Sequence, residues 1–450
     1  MARDQFDPTP IESRDELVAW FEEGCKPASA FRIGTEHEKI PYRSGTTHPV
    51  PYEGPDGIGA LLRALEHESG WDAIMDGDAI IGLADPKGGG AISLEPGGQF
   101  ELSGAPFKTL HEGASELDQH LDAMKRLGGD LGISFLTLGV SPIWSRAQTP
   151  IMPKARYGIM TAYMPKVGSM GLDMMYRTTT VQVNLDFSSE ADMVRKMQVS
   201  LALQSLATAL FANSPAMDGK STGFVSTRGE IWRHTDADRS GLIPFAFDAN
   251  MGFERYVDWA LDVPMYFVKR GDVYHDVSGS SFRDLMAGRL AALPNERATM
   301  SDWANHLSTL FPDVRLKRYI EMRGADSGQP DMLKALPAFW VGLLYDETAL
   351  TAALDLVRPW TAEDRQALRD RVPVEALAAQ IQGRSLQEVA REVVQLSAEG
   401  LKARGLGEEV YLEPLLAIVS SGQTRAELLL QRYGTDWRAK ADAIFAEQSF

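Results

Sequence analysis

The chain has 450 residues, of which 44% are hydrophobic and 24% charged, enough apolar material for a sizeable core. A formal net charge of −17, from 45 basic and 62 acidic residues with no Lys/Arg run, argues against a duplex nucleic-acid binder or an anionic membrane surface as partner. The one cysteine, Cys25, excludes an intrachain disulfide and a cysteine-based zinc site. With the polar start MARDQFDPTP, it leads to the expectation of a soluble protein in a reducing compartment, the cytoplasm.

In chain order, residues 13–23 read as an amphipathic helix with Leu17, Trp20 and Phe21 on one side, and residues 31–40 as a strand. Residues 41–57 read as turn-rich loop and 58–68 as a helix. Residues 80–106 read as a β-meander, with turns at Gly88-Gly89-Gly90 and Pro96-Gly97-Gly98. A helix over 112–127 and a strand over 133–140 follow. The Pro- and Met-rich stretch 142–171 reads as a long irregular loop. Residues 178–187 read as a strand, and Ser189 caps a helix to Phe211 that is too polar to span a bilayer and fits a buried core helix. Loop and short strand are expected over 224–244, a helix over 253–261, a hairpin through Arg270-Gly271-Asp272 and a strand over 315–323. Beyond Met332 the pattern is almost all helical. The expected organisation is one catalytic unit, 1–450, mixed to about residue 330 and helical over 331–450. Gly219-Lys220-Ser221 has only the tail of a phosphate-binding loop and reads as a turn.

Four of these strands carry carboxylates or amides on one face. Strand side chains alternate with a period of two. Glu36 and Glu38 therefore share a face, with His37 on the other. Glu95 precedes the Pro-Gly-Gly turn, and Gln99 and Glu101 follow it. Arg177 leads into a strand with Gln182, Asn184 and Asp186 on one side, and Glu321 and Arg323 share a side of the last strand. Each pattern alone also has a plainer reading: a solvent-facing edge strand for Glu36 and Glu38, an amphipathic hairpin for Glu95, Gln99 and Glu101, a solvated sheet face for Gln182 and Asn184, and a cross-strand ion pair for Glu321 and Arg323. Together they require neutralisation, which hard divalent cations with oxygen ligands supply, Mg²⁺ together with substrate phosphates. Arginines such as Arg239 and Arg323 suit carboxylate or phosphoryl oxygens.

The ordered set Phe31–Lys39, Ser93–Gly104, Tyr163–Gly168, Leu172–Met175, Arg177–Asp192, Asn213-Ser214-Pro215 and Glu321–Asp326 resembles the plant and proteobacterial type of glutamate–cysteine ligase. The resemblance implies an α+β fold related to glutamine synthetase, in which a curved, mostly antiparallel sheet forms a funnel-shaped active site surrounded by helices. It implies two or three Mg²⁺ ions and ATP as co-substrate. The implied reaction joins the L-glutamate γ-carboxylate to the L-cysteine amine through a γ-glutamyl phosphate, the first step of glutathione synthesis. Carried over by position, Glu36, Glu38, Glu95, Glu101, Gln182 and Glu321 are the implied metal sphere. Arg177, Lys166 and Asn184 fall to the nucleotide, Arg323 to the phosphoryl group, and Arg239 to the glutamate carboxylate. Arg156, Tyr157 and Tyr163 border the cysteine site. Plant members carry paired regulatory cysteines, and this chain has Thr179 where one would lie. Partners are expected to be small molecules only, with the chain a monomer or weak homodimer. A related ligase with another amine acceptor, and a non-catalytic binding protein on the same fold, are the alternatives.

Overall fold

The computed structural model describes residues 7–450. Its centre is a nine-stranded antiparallel sheet built from β1 (Ile33–Arg43), β2 (Asp72–Asp76), β3 (Ala79–Ala84), β4 (Ala91–Leu94), β5 (Phe100–Ser103), β6 (Ile133–Leu136), β7 (Thr180–Leu185), β8 (Val314–Leu316) and β9 (Ile320–Asp326). The order is β8-β9-β7-β1-β5-β4-β3-β2, with β6 pairing the far end of β1. Strands distant in sequence thus become neighbours, and the four polar segments form one continuous band, β9-β7-β1-β5. Register then aligns their side chains. Glu38 pairs Glu101, Glu36 pairs Gln182, and Glu321 pairs Asn184.

Helices complete the frame: α1 (Arg14–Glu22), α2 (Ile58–Ser69), α3 (Leu110–Asp130), α4 (Ala155–Val167), α5 (Gly171–Arg177), α6 (Glu190–Leu210), α7 (Thr227–Arg233), α8 (Phe253–Asp262), α9 (Met300–Ser308), α10 (Pro330–Leu344) and α11 (Leu386–Arg404). The reverse face of the band is apolar. Val181, Val183 and Leu185 of β7 join α6 and α10 in the largest core cluster. The helix read from the sequence as core is just that: every residue from Val199 to Leu210 is buried. Among the described residues no helix is long and apolar enough to cross a membrane.

The structure departs from the sequence expectations in four places. Strand β1 runs on through Pro41 to Arg43, because its last residues pair β6. The 142–171 stretch contains α4, whose Tyr157, Met160, Tyr163 and Met164 are buried at helical spacing; Pro165 sits in its last turn. Residues 227–233, expected as loop, form α7, capped by Ser226. The last acidic strand is a hairpin, β8 and β9, turning where the Lys317 N–H donates to the Tyr319 carbonyl at 2.8 Å. In each place local breakers or charge weighed more in the sequence than the packing that overrides them.

Candidate active site

The polar band forms the floor of a cavity of about 940 Å³, counting its open mouth. Glu36 and Glu38 reach it from β1, Glu101 from β5 and Glu95 from the turn after β4. The turn is built for this. Gly98 takes a positive φ of 87°, and the Gly98 N–H donates to the Glu95 carbonyl at 2.9 Å. Gln99 then clamps the turn: its Oε1 accepts from the Gly97 N–H at 2.9 Å, and its Nε2 donates to the carbonyls of Thr178 at 2.9 Å and Met175 at 3.2 Å. A Cβ on Gly97 would lie 2.0 Å from the Tyr176 carbonyl oxygen, so only glycine fits.

The four carboxylates repel one another in a desolvated place. Burial, followed by Glu95 and Glu101, pushes Glu38 well above the ordinary carboxylate range. Burial and then Glu101 raise both Glu36 and Glu95. Glu101 accepts hydrogen bonds from the Ser93 hydroxyl at 2.5 Å and the Ser103 hydroxyl at 3.2 Å, which favour its ionised form. Such a set of hard oxygen donors fits a divalent cation, which would relieve the repulsion. Among the described residues no three metal-ligating side chains converge closely enough to form a finished cage. The fit therefore rests on donor chemistry and mutual repulsion.

Cationic and aromatic groups line the walls. Arg156 and Tyr157 come from α4, Arg228 and Trp232 from α7, Phe311 from the segment after α9, Arg315 from β8 and Arg323 from β9. Tyr157 donates to the Leu94 carbonyl at 2.9 Å and approaches Glu95 at 3.5 Å. Arg323 donates to Gln182 Oε1 at 2.6 Å; burial and then Arg315 lower it to about 10. Arg228 donates to the Arg323 carbonyl at 2.8 Å and keeps its Nε unpartnered, as does Trp232 its Nε1.

Of the residues singled out in the sequence, Glu36, Glu38, Glu95, Glu101, Gln182, Arg156, Tyr157 and Arg323 meet at this cavity. Asn184 stands just behind it and donates to Glu36 Oε1 at 2.9 Å. The others lie elsewhere. Glu321 is fully buried, does not line the cavity, and is held by Arg315, by Lys317 at 2.7 Å and by Arg323 at 3.8 Å in an internal ion cluster. Arg239, expected to anchor a carboxylate, is sealed inside the protein: it donates to Asp236 at 2.6 Å and to the carbonyls of Thr309 and Pro264, with its guanidinium 3.7 Å from the Tyr266 ring centroid. Tyr163 packs against the same Tyr266. Arg177 pairs with Asp173 at 3.1 Å and Asp218 at 2.8 Å, away from the cavity, and Lys166 is exposed on α4. The sequence reading missed Arg228, Trp232 and Arg315. Ser226 as an N-cap, followed by Arg228 and Trp232 four residues apart on one helical face, was the available signal.

Carboxylates from adjacent antiparallel strands, ringed by arginines, make a site whose chemistry suits a polyanionic ligand accompanied by cations. The comparisons with known proteins are more particular. A family model described as "Glutamate-cysteine ligase family 2(GCS2)" matches residues 32–447. The chloroplastic glutamate–cysteine ligase of Medicago truncatula is 52% identical over 435 residues, 97% of this chain and 85% of that protein. The chloroplastic enzyme of Arabidopsis thaliana is also 52% identical, over 97% of this chain and 82% of its own length. The crystal structure of the Francisella tularensis glutamate–cysteine ligase in complex with AMP has the same fold, with a TM-score of 0.53 at 12% identity, over 93% of this chain and 88% of that one. The chain belongs to glutamate–cysteine ligase family 2.

These relatives also correct the expectation of a cytoplasmic protein, because their names place them in the chloroplast. A single cysteine is compatible with any reducing compartment and does not separate the cytosol from an organelle.

Proposed function

We propose that this chain is an ATP-dependent glutamate–cysteine ligase, forming γ-glutamylcysteine from L-glutamate and L-cysteine. The observation that carries the reading is the cavity itself, with Glu36, Glu38, Glu95 and Glu101 on the floor and Arg156, Arg228 and Arg323 on the walls. Membership of the family supports it.

A free carboxylate is a poor acylating agent. In the proposed reaction an oxygen of the glutamate γ-carboxylate attacks the γ-phosphorus of ATP, the bond to the bridging oxygen breaks, and ADP leaves. The cysteine amine then attacks the γ-carbonyl carbon of the acyl phosphate, inorganic phosphate leaves and the amine gives up a proton. The four glutamates would hold Mg²⁺, which when bound screens phosphate charge and stabilises the developing negative charge. The rest falls to the protein. Arg323, fixed by Gln182, faces the cavity as a donor for phosphoryl oxygens, and Arg156 and Arg228 offer planar donor pairs suited to carboxylates. Tyr157 and Trp232, with Phe311, supply apolar walls that exclude water from the acyl phosphate.

The test is ADP release from Mg²⁺-ATP and L-glutamate, with and without L-cysteine and with a panel of other amines. Strong stimulation by cysteine, with γ-glutamylcysteine detected by mass spectrometry, supports the proposal. Stimulation by a different amine alone keeps the chemistry and changes the acceptor. No turnover with any acceptor, in folded protein supplied with Mg²⁺, sinks the ligase reading.

A further inference from the structure

Asp326 lies at the end of β9, past the irregularity in that strand between Met322 and Ala325, and is almost completely buried. It does not line the cavity, yet its carboxylate is saturated by one segment pair. Oδ2 accepts from the Asn213 N–H at 2.9 Å and the Ser214 hydroxyl at 2.6 Å. Oδ1 accepts from the Ser226 hydroxyl at 2.8 Å. Each serine hydroxyl in turn accepts from the first turn of α7. Ser214 Oγ takes the Arg228 N–H at 3.1 Å, and Ser226 Oγ takes the Gly229 N–H at 3.0 Å. The Thr227 N–H adds a bond to the Ser214 carbonyl at 3.0 Å. A helix start normally leaves several N–H groups without partners. Here two serines satisfy them, and one buried carboxylate orients both hydroxyls so that their lone pairs face the helix.

The same strand meets α7 a second time, where Arg228 donates to the Arg323 carbonyl. The space for the clamp is reserved. A Cβ on Gly139 would lie 2.7 Å from the Asp326 Cβ. Residues 228 and 232 sit one turn apart on α7, and both reach the cavity wall. A shift of α7 by 1 Å would move both, and 1 Å of misplacement at a bound substrate is costly.

From this geometry we infer that Asp326, acting through Ser214 and Ser226, is a positioning group that sets the depth and angle of α7 and thereby holds Arg228 and Trp232 for substrate. The inference rests on the ligase reading for the identity of that substrate, and on the hydrogen-bond geometry alone for the clamp. An amide at 326 can accept from one serine but turns an N–H donor toward the other. Loss of the Ser226 hydroxyl cuts one arm and leaves the buried charge paired through the other.

Two variants test it, Asp326→Asn and the milder Ser226→Ala, with Ser226→Thr as the conservative control. Amide hydrogen exchange over residues 226–233 needs no activity, and steady-state kinetics are read beside it. The clamp predicts that exchange across α7 accelerates at least tenfold in both variants, while α6 and α10 keep their protection. It predicts a rise of about tenfold in KM for glutamate with KM for ATP within twofold, and Ser226→Thr restores both readouts. Unchanged exchange in Ser226→Ala and Asp326→Asn overturns the clamp. Faster exchange with unchanged KM for glutamate overturns the claim that α7 positions the substrate groups. If the parent protein turns over no substrate, the ligase reading has failed, and the exchange arm still decides the clamp.

Discussion

Glu321 gives the sharpest test of how the structure divides its acids. Resemblance implies a metal ligand; the geometry makes it the hub of a buried ion cluster. Its side chain is 1% exposed, and those of Arg315 and Lys317 are 6% and 5% exposed. The pair of cations is pinned further by Arg315, which donates to the Ser308 and Leu310 carbonyls at 2.9 Å. Burial acts to raise Glu321, but Arg315, then Lys317 and Arg323, overcome it and hold the carboxylate far below its ordinary range. Glu321→Gln keeps the volume and leaves two buried cations without their anion. Breaking a buried pair from one side costs about 3–5 kcal/mol. Lys317, already lowered to about 8 by burial and then by Arg315, can shed its proton in the variant, which places the cost near 3 kcal/mol, the low end of that range. With an unfolding entropy of roughly 2.1 cal/mol/K per residue, a chain of this length would lose about 3 °C in melting temperature. The assay is thermal unfolding of parent and variant in EDTA, so that no cation contributes, with Glu321→Gln/Lys317→Met as the second variant. Removing the stranded ammonium should recover part of the loss. A variant that melts with the parent in EDTA, and differs from it only when Mg²⁺ is added, would refute the hub and return Glu321 to the metal.

Other perturbations are equally direct. Saturating Mg²⁺ should stabilise the parent, by about 2.7 kcal/mol at one hundred times its Kd, and Glu38→Gln should remove most of that gain and abolish ATP turnover without unfolding the protein; a parent whose melting ignores Mg²⁺ excludes a cation among the four glutamates. Gly97→Ala should cost about 1–3 kcal/mol and depress turnover, since the new methyl meets the Tyr176 backbone and displaces the turn that carries Glu95; denaturant titration with an assay at saturating substrate checks both. Burial lowers His306 to about 4, with Nε2 bonded to the Ala260 carbonyl at 2.7 Å. Because the folded value lies below the unfolded one, near 6.5, stability is full above pH 6.5 and is lost as pH falls toward 4, about 3 kcal/mol in all for this group. His306→Phe should therefore flatten that part of the stability profile, and parallel profiles for parent and variant would count against the assignment.

The sequence by itself located most of the central strands and set the faces of the polar ones. Alternation put Glu36 and Glu38 on one side and His37 on the other, and the buried His37 and Lys39, with the Lys39 ammonium donating to the Phe100 carbonyl, confirm that division. Turn chemistry located the meander, and the apolar run from Val199 marked the central helix. These are local properties, set by backbone geometry and the period of a single element. Only the tertiary structure decided which strands neighbour which, and so brought Glu95 and Glu101 beside Glu38. Only it separated acids that look alike in sequence: Glu38 faces an open cavity beside other acids, whereas Glu321 faces Arg315 and Lys317. The same holds for the arginines. Arg239 and Arg228 both follow a polar loop, but Arg239 is spent on Asp236 and two carbonyls, while α7, capped by Ser226 and held against Asp326, turns Arg228 to the cavity. A charged side chain acquires its role from the partners that surround it when buried, and whether these come from a few residues away across a turn, as Arg315 and Lys317 do for Glu321, or from a distant strand, as Asp326 does for Ser226, is decided by the fold.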